Sequence, residues 1–305
     1  MKDDAEYKEF YEGMVEKGLI IPTGVKGTFG RGKLFEEVVQ CFNDLVTRIA
    51  ENDNADVCFF PPVIDRKIME KVHYLETFPH LCGSVHSFFG SERDARQLAE
   101  EAEKGGKWGD LLEQTDVVLS PAACYPVYPT LTGTVPADGR LVTVFNWVYR
   151  HEPSDEPTRL QSFRMREFIR IGTPEQVVPW RDMWLQRGLD ILHSLKLPAT
   201  SDVASDPFFG RGGKMRSISQ RDQKFKFEVL IPVISTTEPT AVCSFNYHHN
   251  HFGTAFDIFT EDGQIAHTAC MGFGMERVAM ALFKTHGLDH SKWPAEVRDL
   301  LWPNT

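Results

Sequence analysis

The stretch LVTVFNWVYRHEPSDEPTRLQSFRMREFIRI, residues 141–171, decides the fold. Its two ends, 141–149 and 163–171, are rich in β-branched and aromatic residues, and the second alternates clearly. Between them the polar 152–158 segment holds Pro153 and Pro157, so it reads as a connection rather than a strand. The pattern predicts a long antiparallel hairpin. Period-two alternation puts Phe163, Met165 and Glu167 on one face of the second strand, and Arg164, Arg166 and Arg170 on the other. Arg150 and Glu152 share a face at the end of the first strand. Where those faces coincide, one surface presents a guanidinium, a carboxylate and an aromatic ring. Arg150 can then fork two bonds to an α-phosphate while Phe163 stacks on adenine. The plainer reading of the same pattern is a salt-bridged hairpin with an ordinary core phenylalanine.

Outward from the hairpin, residues 33–51 place Leu34, Phe35, Val38, Val39, Phe42, Leu45, Val46 and Ile49 at helical spacing. Asn52-Asp53-Asn54 stops that helix, and Val57-Cys58-Phe59-Phe60 is a short apolar run ended by Pro61-Pro62. Helix, strand and proline in that order outline a subunit-contact element. Residues 92–104 read as a charged surface helix and 180–196 as an amphipathic one ending at Pro198. Further strands are expected at 117–121, 225–234, 241–245 and 255–259, and a helix at 277–284. Strands dominate the middle and helices the flanks, without the strand–helix alternation of a doubly wound sheet. The expectation is an α+β fold, an antiparallel sheet flanked by helices. It divides into an extension at 1–32 and a catalytic domain at 33–305 with a basic insert near 205–226.

Bulk properties narrow the function. The 305 residues carry a net charge of −10, with 42% hydrophobic and 25% charged content. A basic face is what phosphate neutralisation needs, so an acidic chain argues against nucleic acid as the main partner. No apolar run approaches the roughly 20 residues of a membrane span, and the acidic start is no signal peptide, so a cytoplasmic protein is expected. Six scattered cysteines, with no Cys-x-x-Cys pair, argue against a disulfide framework.

Near the end, Cys270-Met271-Gly272-Phe273-Gly274-Met275-Glu276-Arg277 precedes an apolar helical run. Alone, Gly-x-Gly before a helix is a weak signal. Taken after the hairpin it resembles the class II aminoacyl-tRNA synthetases. Their second motif is an aromatic-Arg-x-Glu strand, a loop and Arg-x-x-x-Phe, matched by Tyr149-Arg150-His151-Glu152 and Arg159 to Phe163. Their third is Gly-x-Gly-x-Gly-x-Glu-Arg, matched from residue 270 with Cys270 in place of the first glycine. The first motif matches 56–64 loosely, and the likeness spans roughly residues 33 to 285.

Within that class the chain is most similar to seryl-tRNA synthetases. Leu119-Ser120-Pro121-Ala122-Ala123-Cys124 lies where they carry Thr-x-Glu, and Cys243-Ser244-Phe245-Asn246 tracks their Cys-Ser-Asn segment. Cysteine at both 124 and 270, with Glu167 on the hairpin, resembles the zinc-dependent seryl enzymes of methanogens. That resemblance implies one Zn²⁺ per subunit on Cys124, Glu167 and Cys270, its last position taken by the amine of the substrate. Three protein ligands and an open position also suit a substrate-binding zinc. The resemblance further implies Mg²⁺ with ATP and a homodimer. It gives Arg150 the α-phosphate, Arg159 and Arg277 the β/γ end, Phe163 with Arg277 the adenine sandwich and Glu152 the adenine amino group. Arg150 and Arg277 are the catalytic pair, Glu228 is a candidate for Mg²⁺, and Ser244 with Asn246 would line a small amino-acid pocket.

Only about thirty residues precede the first core helix and about thirty follow the third motif, with no tRNA-handling domain expected. The chain therefore resembles the amino acid:carrier protein ligases, which load glycine, alanine or another small amino acid onto a carrier's phosphopantetheine thiol. Carrier proteins are acidic. The densest basic stretch, Arg211, Lys214, Arg216, Arg221, Lys224 and Lys226 against a single Asp222, is the expected docking face, or else a solvated glycine-rich loop. A truncated seryl-type synthetase and a non-catalytic paralogue that binds an amino acid stand as alternatives.

Overall fold

The computed structural model describes residues 4–303 with the exception of Thr236. Strands β1 (Asp56–Cys58), β2 (Arg140–Tyr149), β3 (Ser162–Gly172), β4 (Thr200–Val203), β5 (Lys226–Ile231), β6 (Thr240–Tyr247) and β7 (His267–Gly274) form one sheet. Its order is β4-β5-β6-β7-β3-β2-β1. The expected hairpin, β2 with β3, lies toward one side and is paired over ten positions, Arg140↔Ile171 to Tyr149↔Ser162. Neighbours are antiparallel except at the edge, where β1 runs parallel to β2. A parallel pair requires a long crossover, and residues 59–139 supply it.

The alternation read from the hairpin sorts the two faces. On one, Phe168 of β3, Phe245 of β6 and Met271 and Phe273 of β7 pack beneath helices α2 (Lys33–Ile49), α3 (Pro174–Ser194) and α5 (Met275–His286). Trp184 of α3 stacks on Phe168 at 4.6 Å, and Phe42 of α2 meets Phe273 edge-on at 5.2 Å. Each such ring removes 150–250 Å² from water, so this layer is the main source of apolar stabilisation. Helix α1 (Asp4–Glu16) adds Phe10 and Met14 to the same core.

The opposite face is half open. Ile169 and Ile171 of β3 pack there with Val142 and Val144 of β2 and with Phe252 and Phe256. Register fixes what lies beside them. One row across the sheet runs Glu228, Ser244, Gly272, Glu167, Val144, and the next runs Lys226, Asn246, Cys270, Ile169, Val142. Gly272 has a reason to be glycine: a Cβ there would stand 3.0 Å from Cγ of Glu167.

Three local expectations change. Helix α3 begins at Pro174, not near 180, because Thr173 and Gln176 form a capping box and Pro174 fits the first turn. Pro179 sits inside the helix as well. Residues 255–259, expected as strand, are divided: Ala255 and Phe256 end the helix His251–Phe256, Asp257 stops it in the left-handed region at φ 53°, and only Ile258–Phe259 is strand. Phe252 and Phe256 are one turn apart and both stack on Tyr128, a helical spacing hidden by Gly253. The basic stretch is not a loop but helix α4 (Gly210–Asp222). Lys226, counted in that stretch, is buried on β5 and ion-paired to Asp206 at 2.6 Å and Glu228 at 2.9 Å.

Candidate active site

The open face of the sheet floors a cavity of about 390 Å³, lined among others by Cys124, Arg150, Glu167, Ser244, Asn246 and Cys270. The strand Glu113–Leu119 delivers residues 120–124 to its rim, where the Ser120 N–H donates to Pro62 and the Tyr149 N–H donates to Ser120. This anchors a loop cysteine over strand residues separated from it by more than forty and by more than a hundred positions.

The three residues named as metal ligands converge. Sulfur atoms of Cys124 and Cys270 and a carboxylate oxygen of Glu167 all lie within 4.8 Å of one another, and all three residues are buried. Glu167 Oε1 accepts the Ala123 N–H at 2.9 Å, whereas its buried Oε2 has no hydrogen-bond partner. A carboxylate oxygen left in that position is costly unless something cationic meets it. Two soft thiols, one carboxylate and one orphaned oxygen fit a divalent metal such as zinc. Burial, then the Cys270 sulfur, push the Glu167 carboxyl up to about 7. The two thiols divide in opposite directions: Cys270 is held well down because the Cys124 thiol, His248 and Asn246 direct donors at it, and Cys124 is pushed well up as the thiol that keeps the proton. Asn246 Nδ2 and His248 Nε2 each lie 3.5 Å from Cys270 Sγ.

Arg150 stands at the same cavity. Its Nε donates to the Pro121 carbonyl at 2.9 Å, and its guanidinium carbon lies 5.8 Å from the Phe163 ring centroid. The guanidinium and ring expected on one surface are on one surface. Arg159 and Glu152 pair with each other at 3.3 Å in partly exposed positions, an interaction worth roughly 0–1 kcal/mol. Arg277 donates through Nε to Thr158 and through Nη1 to Ala241, both backbone carbonyls, at 2.8 and 2.9 Å. Burial and then the nearby Arg150 charge lower its pKa. Of the residues expected to hold ATP only Arg150 lines the cavity itself; Glu152, Arg159, Phe163, Arg277 and Glu228 do not. Glu228 instead has Lys226 beside it, so its charge is already partly met.

Glu276 of the third motif lies outside the cavity. Its buried carboxylate takes the Arg164 N–H at 2.7 Å and Nε at 2.8 Å, and Arg31 stands 3.4 Å away. Arg164 also grips Glu36 of α2 at 2.6 and 2.9 Å. This network locks α5 to the hairpin and so fixes where Arg277 can reach.

Sequence reasoning missed the outer wall. Asp206, Phe208 and Gln220 line the cavity beside Arg216 of α4, and His248 faces Cys270. The run Tyr247-His248-His249-Asn250-His251 was a visible signal for His248; no spacing pointed to Asp206. Lys214, Met215, Arg216, Ile218 and Arg221 are exposed on α4, with Lys224 exposed just beyond it. The side chain of Arg211 lies outside the described residues.

Comparisons with known proteins agree with this geometry. No family model matches. An amino acid--[acyl-carrier-protein] ligase of Bradyrhizobium diazoefficiens is 46% identical over 280 residues, covering 91% of this chain and 86% of the relative. A type-2 serine--tRNA ligase of Methanococcus aeolicus is 27% identical and matched over 56% of its length. Among solved structures, M. kandleri SerRS in complex with A. aeolicus tRNASec superposes with a TM-score of 0.81 at 22% identity, over 96% of this chain and 60% of that one. That match shows a class II aminoacyl-tRNA synthetase fold. With 46% identity across nine-tenths of its length, and the hairpin arginine facing a Cys-Glu-Cys floor, the chain belongs to the amino acid--[acyl-carrier-protein] ligase family.

Proposed function

We propose that this chain uses ATP, bound with Mg²⁺, to join a small amino acid, glycine or alanine, to AMP, then transfers it to the phosphopantetheine thiol of an acidic carrier protein. The observation that carries the reading is the convergence of Cys124, Glu167 and Cys270 on the floor of the cavity that Arg150 also lines. Zinc on those three side chains would supply a Lewis-acid seat for a deprotonated α-amine and so select amino acids from other carboxylic acids.

A carboxylate is already anionic, so its attack on the α-phosphorus needs position and cancelled charge rather than a base. Arg150 supplies both at the α-phosphate. Arg159 and Arg277 neutralise the β/γ end, Phe163 and Arg277 hold the adenine, Glu152 reads its amino group and Glu228 is the candidate Mg²⁺ ligand. One P–O bond forms to the carboxylate and one breaks to release pyrophosphate. In the second step the thiol sulfur attacks the acyl carbon, AMP leaves, and the departing phosphate oxygen takes the thiol proton. Ser244 and Gly272 keep the floor beside Glu167 small.

Helix α4 fits the docking role. A groove lined by Phe208, Met215, Arg216, Ser219, Phe225 and Tyr247 adjoins the cavity and shares Phe208, Arg216, Gln220, Tyr247 and His248 with it. A carrier seated on Lys214, Arg216, Arg221 and Lys224 would have its arm at that mouth, with Arg211 on the same helix. The same reading includes a homodimer built on the β1 edge, where Val57 is 62% and Phe59 79% exposed. It also includes a reducing, cytoplasmic setting for six unpaired cysteines.

The test is pyrophosphate exchange over a panel of amino acids, with thioester formation on a holo-carrier and charging of bulk tRNA measured on the same sample. Exchange with one small amino acid and thioester on the carrier support the proposal. Charged tRNA without thioester would replace it with a synthetase, and no ATP turnover with any amino acid would leave a binding protein.

A further inference from the structure

One buried hydroxyl beside the ligand cluster has no use in the scheme above. Tyr128 is 0% exposed and opens the short helical turn Tyr128–Leu131, four residues after Cys124. Its ring is clamped: Phe252 stacks on it at 3.8 Å with planes 6° apart, Phe256 lies 6.4 Å away, and His248 meets it edge-on at 6.4 Å. Its hydroxyl makes no hydrogen bond of good geometry, and the group it approaches as a hydrogen-bonding neighbour is Cys124, with Cys270 and Glu167 also in range. It does not line the cavity, so it stands behind the cluster and not against a substrate.

The other two ligands already have donors behind them. Ala123 N–H serves Glu167, and Asn246 with His248 serves Cys270. Cys124 is the ligand that the Tyr128 hydroxyl adjoins, and a metal is bound by the thiolate, which has no proton to give and needs a donor. We propose that Tyr128 is that donor, a positioning residue whose O–H hydrogen-bonds to the Cys124 sulfur once the metal is in place. Such outer partners orient a ligand and set how much charge its sulfur gives the metal. The inference rests on the metal reading above.

Cobalt(II) in place of zinc, in the full-length protein, separates the two. Wild type, Tyr128→Phe and Phe256→Leu are compared by the sulfur-to-cobalt charge-transfer band and by metal affinity in competition with a chelator. Removing a hydrogen bond raises the energy of the sulfur lone pair. Tyr128→Phe, which keeps the ring stack, is expected to move the band to longer wavelength and to weaken metal binding about 10–100-fold. Phe256→Leu loosens the packing but leaves the hydroxyl, and is expected to leave the band where it is. A Tyr128→Phe protein with wild-type band and affinity overturns the inference, as does an equal shift in Phe256→Leu. A wild-type protein with no charge-transfer band removes the metal reading itself.

Discussion

The cavity has a floor and a lip, and they are built to opposite rules. Floor residues Glu167, Ser244, Asn246, Cys270 and Gly272 sit on adjacent central strands, their positions fixed by register. The lip, helix α4, has no buried side chain among its described residues and contains Gly210, Gly212 and Gly213, each costing about 1 kcal/mol of helix propensity relative to alanine. Few contacts hold it. Gln220 and Ser217 bond to Asp206, and Arg216 reaches Thr77. Chemistry that depends on sub-ångström placement belongs on the rigid part, whereas contact with a second protein tolerates, and gains from, a part that adjusts.

The sharpest break of that comparison is at the floor. Arg150→Ala should lower amino-acid-dependent pyrophosphate exchange by at least about 100-fold, the scale for losing one group aimed at developing charge. Its zinc content, measured by mass spectrometry, should stay at the wild-type level; near-normal exchange would remove Arg150 from the phosphate. Cys124→Ser should lose zinc and amino-acid binding together, and calorimetry showing amino-acid binding without metal would separate what the account joins.

At the junction of floor and lip the effect should be smaller and fall on stability. Asp206→Ala leaves buried Lys226 with Glu228 alone and should cost about 2–4 kcal/mol in chemical denaturation, with protease cutting first within α4. At the lip, reversing Lys214 and Arg221 to Glu should raise the KM for the carrier about tenfold at low salt and less at high salt. Exchange without carrier should stay within about twofold. A fall in exchange of equal size would mean the lip belongs to the floor.

The smallest effect is in pH. Burial pushes Asp206 up, but Lys226 and Gln220 more than offset it and hold the carboxyl below its ordinary 3.8. A lowered folded value means the stabilisation is present above 3.8 and is lost as pH falls through the folded one. Lys226, held above its ordinary 10.5 by Asp206 and Glu228 despite burial, contributes below 10.5 and loses that share as pH rises through its folded value. Thermal scans should therefore show the gap between wild type and Asp206→Ala flat through neutrality and narrowing below about pH 4.

How far the sequence could be read follows the same division. The hairpin was legible because period-two alternation survives in 163–171, and so was the facing of Glu167 away from Arg164. The meeting of Cys124, Glu167 and Cys270 was legible only by resemblance, since nothing local in Cys124 or Cys270 says that a loop and a distant strand will meet. Helix α4 was not legible, because its glycines and scattered charges have no apolar stripe. Asp206 and Tyr128 were invisible for another reason: their roles depend on a neighbour brought in by the fold, Lys226 in one case and Cys124 in the other.

The most direct test of the central claim is zinc K-edge X-ray absorption on the purified protein. The account predicts one zinc per chain with two sulfur neighbours at about 2.3 Å and the remainder oxygen or nitrogen. A zinc with no sulfur neighbours would contradict it, as would a spectrum showing no zinc from protein that still exchanges pyrophosphate at its full rate.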